Sequence, residues 1–309
     1  MTLDFLLERT ATPLLRIEPS EPGAEPSAVL AARREVCGRG SMTTRTTLHD
    51  ACMQGQLVIA QTLHSAGASL DATDTNGTTP LHEACGQGHL YVGQWLYSAG
   101  ASLDATDTEG RTPLHAACYG GFLDIAQWLH SAGASLDATD SARETPLHLA
   151  CSKGHLDVAQ WLYSAGASLD ATDNEGWALL HEACYRGFLD IAWWLHRAGA
   201  SLNATDKHGR TPLHLACEFG ELETAVWLCS ARADATLKTD DGDTPAQLLV
   251  SCSDENDLDE QRLRSTLACL VRRAQAQGPM PCPAARMQAV KTDAARHALM
   301  QVQRCRTLR

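Results

Sequence analysis

The sequence lacks the features that mark several familiar classes of protein. Its 309 residues contain no apolar run that approaches the roughly 18 residues of a membrane-spanning helix. The first residues have neither the basic start nor the long apolar core of a secretory signal, so export is not expected. A soluble, globular chain with a cytoplasmic and/or nuclear location is therefore predicted.

Motifs for catalysis are also missing. No nucleophile is paired with a general base, no glycine-rich loop is built to hold a phosphate, and no set of side chains has the spacing of a metal site. We therefore expect no enzyme activity, no cofactor, no metal and no small-molecule substrate.

Positive charge is scarce except at one end of the chain. Residues 272–309 hold eight Arg or Lys against one acid, a net charge of +7, which leaves 17 basic against 36 acidic residues, or −19, on residues 1–271. An acidic body does not suit a duplex of phosphates, so nucleic acid is not an expected partner. The basic tail could contact an acidic partner.

The dominant feature of the sequence is a twelve-residue segment that recurs, with small changes, every 33 residues. LHSAGASLDATD occupies residues 63–74 and again residues 129–140, and close variants begin at Leu96, Leu162 and Leu195. A fixed period of this length is typical of stacked repeats, in which neighbouring units bury a core that one unit cannot bury alone.

Each unit is predicted to contain two short helices and a turn. In residues 107–139, Thr112 suits an N-cap and Pro113 suits the first helical position, so a helix begins there. A glycine pair ends it, and an apolar stripe predicts a second helix from about Phe122. Gly133 ends the second helix, because glycine enters the left-handed conformation without strain. The Asp- and Ser-rich segment that follows is expected to turn, with each Asp capping its own turn.

These motifs resemble those of the ankyrin repeat. The resemblance is carried by a Gly-Ala pair after each second helix and by Thr-Pro-Leu-His at residues 79–82, 112–115, 145–148 and 211–214. It implies an all-α fold: an α-solenoid of stacked helix-turn-helix repeats joined by β-hairpin or turn loops. It also implies that the protein's function is to bind another protein.

The chain divides into three parts on this interpretation. Residues 41–271 form an array of seven units, with the first and last as caps; residues 1–40 are expected to be disordered; and residues 272–309 are a basic tail with a possible helix. The units begin near Ser41, Asp74, Asp107, Asp140, Asp173, Asp206 and Thr239.

A histidine and a cysteine three residues apart recur on the first helix of six units, as at His82 and Cys85. Two ligands fall short of the four that zinc prefers, so these pairs are not expected to bind metal. The resemblance implies that the histidine holds the neighbouring loop by hydrogen bonds. Equivalent cysteines of neighbouring units are expected to lie too far apart to form disulfides. We therefore predict that they are buried thiols in a reducing compartment. They are Cys52, Cys85, Cys118, Cys151, Cys184 and Cys217.

Function must be sought where the copies differ. The resemblance implies that partners bind the hairpin tips and the inner-helix ends that line a concave groove. Over units three to six these places carry Tyr, Trp and Arg, the residue types that dominate interface hot spots. The predicted partner-binding residues are Tyr119, Trp177, Tyr185, Arg186, Arg210, Phe219, Arg111 and Lys153. An alternative is that the helix-end aromatic residues merely cover the groove.

Three smaller features complete the predictions. Tryptophans that recur in phase on the second helix, from Trp95 to Trp227, are expected to pack at the seams between units. Arg232 replaces a capping glycine and should be strained. Asn203 stands in a context similar to that in which ankyrin proteins are hydroxylated on asparagine.

The sequence thus predicts a non-enzymatic module or adaptor that binds a partner protein on its concave or hairpin face. The alternative is a substrate-recruiting adaptor of a ubiquitin ligase or targeting complex. That alternative depends on residues 267–283, which faintly resemble the box that joins some ankyrin proteins to ubiquitin ligases.

Overall fold

A computed structural model of the chain describes residues 46–251, with side chains described through Leu248. This part of the chain forms thirteen short helices and no strand; one isolated β-bridge joins Thr172 and Ala178. None of the described helices has the length and apolar character needed to cross a membrane. The predicted segments 1–40 and 272–309 lie outside the described residues.

The helices alternate between an inner and an outer row. The inner helices are α1 (Thr47–Met53), α3 (Pro80–Gly86), α5 (Pro113–Gly120), α7 (Pro146–Lys153), α9 (Leu179–Tyr185), α11 (Pro212–Glu218) and α13 (Pro245–Ser251). The outer helices are α2 (Leu57–Ser65), α4 (Leu90–Ser98), α6 (Leu123–Ser131), α8 (Leu156–Ser164), α10 (Leu189–Ala198) and α12 (Leu222–Ser230). Six helix pairs and the first helix of a further unit are therefore described, which we number as repeats one to seven.

The core runs along the seams between inner helices. Each of the first six inner helices packs on its own outer helix, and neighbouring inner helices pack on one another, whereas the described outer helices touch one another more sparsely. The leucine before each inner-helix histidine, such as Leu114, is fully buried, as is the small pair Ala117 and Cys118. Small side chains let the inner helices approach closely. The predicted all-α solenoid is confirmed.

The inner-helix histidines join adjacent repeats. In α3, Nδ1 of His82 accepts a hydrogen bond from the Thr79 amide (3.3 Å) and lies 2.8 Å from Thr79 Oγ1. Its Nε2 lies 2.8 Å from the carbonyl oxygen of Arg111, in the turn of the next repeat. Because Nδ1 accepts, the neutral tautomer protonated on Nε2 fits both contacts. The predicted structural role of this histidine is confirmed.

Burial lowers the pKa of five of these histidines, since it disfavours the charged imidazolium. They are His82, His115, His148, His181 and His214. In each of them nearby carbonyl groups and carboxylates oppose the shift without cancelling it.

The linking segments are turns that each begin at an aspartate. Asp107 Oδ1 accepts hydrogen bonds from the amides of Glu109 (2.9 Å) and Arg111 (2.8 Å), so the aspartate caps its own turn as predicted. The amide of Thr108 donates to the carbonyl of Asn76 in the preceding turn at 2.8 Å. These bonds between successive turns fix the register of the array.

Glycine closes most turns and outer helices, and two arginines take its place. Gly133 has φ 108° after α6, as expected for a left-handed cap. Arg232 occupies the equivalent place after α12 with φ 73°, which confirms the predicted strain. Arg143, in the turn of repeat four, has φ 63°. In other repeats its position is a glycine, and the sequence reading did not single it out.

The in-phase tryptophans pack at the seams, but most are only half-buried. Trp128 meets Tyr97 edge-to-face at 6.1 Å, and Trp194 meets Tyr163 in the same way at 6.0 Å. Trp227 is buried, with 8% of its surface exposed, whereas Trp128 and Trp194 are of intermediate exposure. The predicted packing at the seams is confirmed, and the extent of burial differs from one repeat to the next.

The cysteines of the inner helices are free and buried, as predicted. Burial raises the pKa of the Cys52 and Cys217 thiols to about 12, with small additions from neighbouring groups. Such thiols are almost entirely protonated near neutral pH and are poor nucleophiles.

Candidate functional site

Five of the predicted site residues form one contiguous group, which we call the groove cluster: Trp177, Tyr185, Arg186, Arg210 and Phe219. Trp177 and Arg210 lie in the turns before α9 and α11, whereas Tyr185, Arg186 and Phe219 lie at the ends of those helices. The cluster therefore spans repeats five and six.

The three aromatic rings of the groove cluster touch in series. The Trp177 and Tyr185 ring centroids lie 5.3 Å apart, and those of Tyr185 and Phe219 lie 4.4 Å apart, both edge-to-face. This is a favoured arrangement of aromatic rings. Phe219 remains 46% exposed. Trp177 is half-buried.

Two guanidinium groups cover ring faces in the cluster. Arg186 lies 4.9 Å from the centroid of the Tyr185 ring, and Arg210 lies 5.7 Å from that of Trp177. Arg186 Nε is also 3.4 Å from Glu182 Oε1. These contacts hold the cations in place beside the rings.

Asp206 holds two members of the groove cluster in place by hydrogen bonds. Its buried Oδ2 accepts hydrogen bonds from Arg210 Nε (2.8 Å) and from the indole Nε1–H of Trp177 (3.1 Å). Burial by itself would raise the pKa of Asp206, but hydrogen bonds from Arg210 and the His208 amide lower it overall. A buried, ionised carboxylate thus fixes two of the five members of the cluster.

The remaining predicted residues lie nearer the middle of the array. Lys153 Nζ stands 4.3 Å above the ring of Tyr119, which is 48% exposed. Arg111 forms two ion pairs: its Nη1 lies 2.5 Å from Glu109 Oε2, and its Nε lies 3.4 Å from Asp140 Oδ2. These three residues take no part in the ring contacts of the groove cluster.

The sequence did not lead us to single out Glu144, which lies where repeats four and five meet. Glu144 occupies there the turn position that is Arg111 in repeat three and Trp177 in repeat five. Burial, followed by the charges of Asp140 and Glu182, raises the pKa of Glu144 to about 7. The signal was available in the sequence, because Glu144 precedes Asp173 by the same 29 residues that separate Arg111 from Asp140.

Asn203 lies exposed in the turn segment after α10. Its Oδ1 accepts a hydrogen bond from the Asp234 amide at 2.9 Å. Hydroxylation of Asn203 stays a prediction: mass spectrometry of the protein from cells that contain an asparaginyl hydroxylase should find the residue modified, and an unmodified peptide would contradict it.

Comparison with known proteins places the chain in a family. A family model described as "Ankyrin repeats (3 copies)" matches residues 28–107, 93–173 and 165–241. The crystal structure of the human ASB11 ankyrin repeat domain is similar at 27% sequence identity with a TM-score of 0.62, over 71% of this chain and 98% of that one. No curated protein sequence matches significantly. The periodic core, the histidine bridges between repeats and these matches agree, and the chain belongs to the ankyrin repeat family.

Proposed function

We propose that this protein is a non-enzymatic interaction module that binds a partner protein on the turn and inner-helix face of its array. The groove cluster is the main contact. The observation that carries the proposal is the continuous series of three aromatic rings, flanked by two held guanidinium groups, across repeats five and six.

Two physical properties of the cluster support this use. Tyr, Trp and Arg are the residue types that contribute most binding energy at protein interfaces. In addition, the side chains are already fixed by ring contacts and by Asp206, so little conformational entropy remains to be lost on binding. A cluster that merely covered the groove would not need Phe219 to remain 46% exposed.

The proposal is tested by capture of partners from the cell of origin, identified by mass spectrometry. The test variant combines Trp177→Ala, Tyr185→Ala and Phe219→Ala, with folding checked by circular dichroism. The matched control combines Val58→Ala and Tyr91→Ala, which remove side chains 73% and 77% exposed on the outer helices. Partners lost with the test variant and retained by the control support the proposal. Partners retained by both would refute it.

A second candidate is a substrate-recruiting adaptor that uses the segment after the array. The similarity to the human ASB11 ankyrin repeat domain supports the array half of that role. The other half depends on residues 267–283, which lie outside the described residues. Removing residues 267–309 should abolish capture of a ubiquitin ligase and leave capture of the substrate intact; unchanged capture of both would exclude this role.

A further inference from the structure

Two cations occupy the same position on successive inner helices. Lys153 is the last residue of α7, and Arg186 directly follows α9, which packs on α7. The two residues are 33 positions apart, so they are equivalent residues of stacked helices, whose axes lie roughly 8 to 10 Å apart. The equivalent residues of repeats one to three are Gln54, Gln87 and Gly120, which carry no charge. The pair of cations is therefore a particular feature of repeats four and five.

The ends of the helices do not by themselves require these cations. A positive charge is favoured at a helix C-terminus by the helix dipole, so Lys153 and Arg186 also stabilise α7 and α9. The inner helices α1, α3, α5 and α11, however, have no basic residue in their last turn. The array forms at those places without a terminal cation, which leaves the pair in repeats four and five open to a second role.

Each of the two cations lies over a tyrosine ring. Lys153 Nζ is 4.3 Å from the centroid of the Tyr119 ring, and the Arg186 guanidinium is 4.9 Å from that of Tyr185. The tyrosines are equivalent residues of repeats three and five, and the residue between them in repeat four is the small, buried Ser152. This row of helix ends thus presents a large, a small and a large side chain, with a cation beside each large one.

The two cations are only partly neutralised within the chain. In the part of the chain that the structure describes, Lys153 forms no ion pair, and Arg186 pairs through its Nε alone, 3.4 Å from Glu182 Oε1. Burial raises the pKa of Glu182, and the charges of Arg186 and Lys153 both oppose that rise. One carboxylate therefore serves two cations. The Arg186 side chain is 45% exposed, so its terminal N–H groups are accessible to an acceptor on a ligand.

The remainder of the array limits the kind of partner that can use these cations. Residues 46–248 contain 25 acidic and 9 basic residues, a net charge of −16. A strongly acidic partner is repelled by such a body, whereas a single carboxylate gains more from two adjacent cations than it loses to distant charges. Beside Arg186, the rings of Tyr185 and Phe219 meet at 4.4 Å, and Phe219 is 46% exposed. The surroundings therefore favour a carboxylate with an apolar neighbour.

We propose that Lys153 and Arg186 bind the carboxylate of one aspartate or glutamate of the partner protein, with an adjacent apolar side chain packed on Tyr185 and Phe219. The inference rests on the proposed function and names the chemistry of the partner segment. Hydrogen bonds between ionised groups are roughly twice as strong as those between neutral groups, and two donors at fixed positions also determine the register of the bound segment.

The test uses the full chain and a displayed library of random twelve-residue peptides. Peptides enriched on the wild-type chain are synthesised, and their affinities are measured by fluorescence polarisation. The test variant combines Lys153→Gln and Arg186→Gln. The matched control combines Arg197→Gln and Lys207→Gln, which remove two exposed cations, one of them stacked at 4.9 Å on the ring of Trp193. A third variant, Lys153→Arg with Arg186→Lys, keeps both charges, and thermal unfolding checks the folding of each variant.

We expect the enriched peptides to contain an aspartate or glutamate next to an apolar residue. Their binding should weaken about tenfold with the test variant, and about tenfold when the acidic residue of the peptide is replaced by its amide. The two changes together should weaken binding no more than either change alone, because both remove the same contact. The control should change the affinity less than about twofold, and the charge-keeping variant should retain most of it.

The substitution in the peptide tests the contact without any change to the protein, so the result does not depend on the folding of a variant. Losses that add when the two changes are combined, or enriched peptides without an acidic residue, would contradict the inference. Equal weakening by the test variant and the control would show an effect of net charge alone and would also contradict it.

Failure of this inference can be distinguished from failure of the proposed function. If Tyr185→Ala with Phe219→Ala weakens peptide binding and the test variant does not, the groove cluster is the binding site and the carboxylate contact is wrong. A library that yields no binding peptide would overturn the inference, whereas the proposed function is judged by the capture of partners from the cell of origin.

Discussion

Replacing Glu144 by glutamine should stabilise the array, and the gain should depend on pH. Burial and the carboxylates around Glu144 raise its pKa from 4.5 to about 7 in the folded chain. Between these values the folded state binds a proton more tightly than the unfolded state. The ionised Glu144 therefore destabilises the fold increasingly as pH rises through this window, with its full effect above pH 7.

The magnitude follows from the size of the shift. A change of one pKa unit corresponds to about 1.36 kcal/mol, so a shift from 4.5 to about 7 sets an upper limit of roughly 3 kcal/mol. Because Glu144 is only partly buried, solvent screens these charges, and we expect about 1 to 2 kcal/mol. Glutamine has nearly the same shape and carries no charge, so Glu144→Gln should recover this amount at pH 8.

Urea-induced unfolding followed by tryptophan fluorescence measures the effect. The free energy of unfolding should rise by about 1 to 2 kcal/mol in Glu144→Gln at pH 8, and the difference from wild type should shrink towards zero as the pH approaches 4.5. Glu175→Gln removes an equal charge from an exposed turn residue and should have little effect at either pH. A gain of the same size at both pH values, or in both variants, would refute the reasoning.

Three other predictions concern stability. In the Glu144→Gln background, the melting temperature should fall as the pH drops below about 6.5, because the five buried histidines have lowered pKa values and the unfolded chain then binds more protons; a flat profile in thermal scans would contradict their burial as neutral groups. Arg232→Gly should raise the free energy of unfolding by up to about 1 kcal/mol, since φ is 73° there, and a loss of stability in the same assay would show that the arginine is not strained. Trp227→Ala should cost about 3 to 5 kcal/mol, and Trp128→Ala should cost less because its indole is only half-buried; equal costs in chemical denaturation would contradict this ranking.

Much of the local structure could be predicted from residue types alone. Thr112 and Pro113 define the start of α5, and Gly133 follows α6 in the left-handed conformation, as expected. Such features depend on the conformational limits of one or two residues, so they can be read from a short stretch of sequence. The 33-residue period adds the stacking, because a repeated apolar pattern can be buried only by a neighbour with the same pattern.

Only part of the candidate site could be predicted from the sequence. The sequence could place Trp177, Tyr185 and Phe219 at turns and helix ends, but the ring contacts between them depend on the offset between stacked inner helices. The hydrogen bond that the Trp177 indole donates to Asp206 was not predicted, because it joins the turns of two stacked repeats, 29 residues apart.

The sequence by itself determined the family, the period and the ends of the helices, since these depend on local conformational preference repeated many times. The tertiary structure decided which side chains of successive repeats face each other: Arg111 meets Asp140 as an ion pair, whereas Glu144 stands at the same position before Asp173. The physical reason is that charges 29 residues apart interact only when the stacking of two turns brings them within a few ångströms. The difference between these two seams therefore belongs to the packed array rather than to any single repeat.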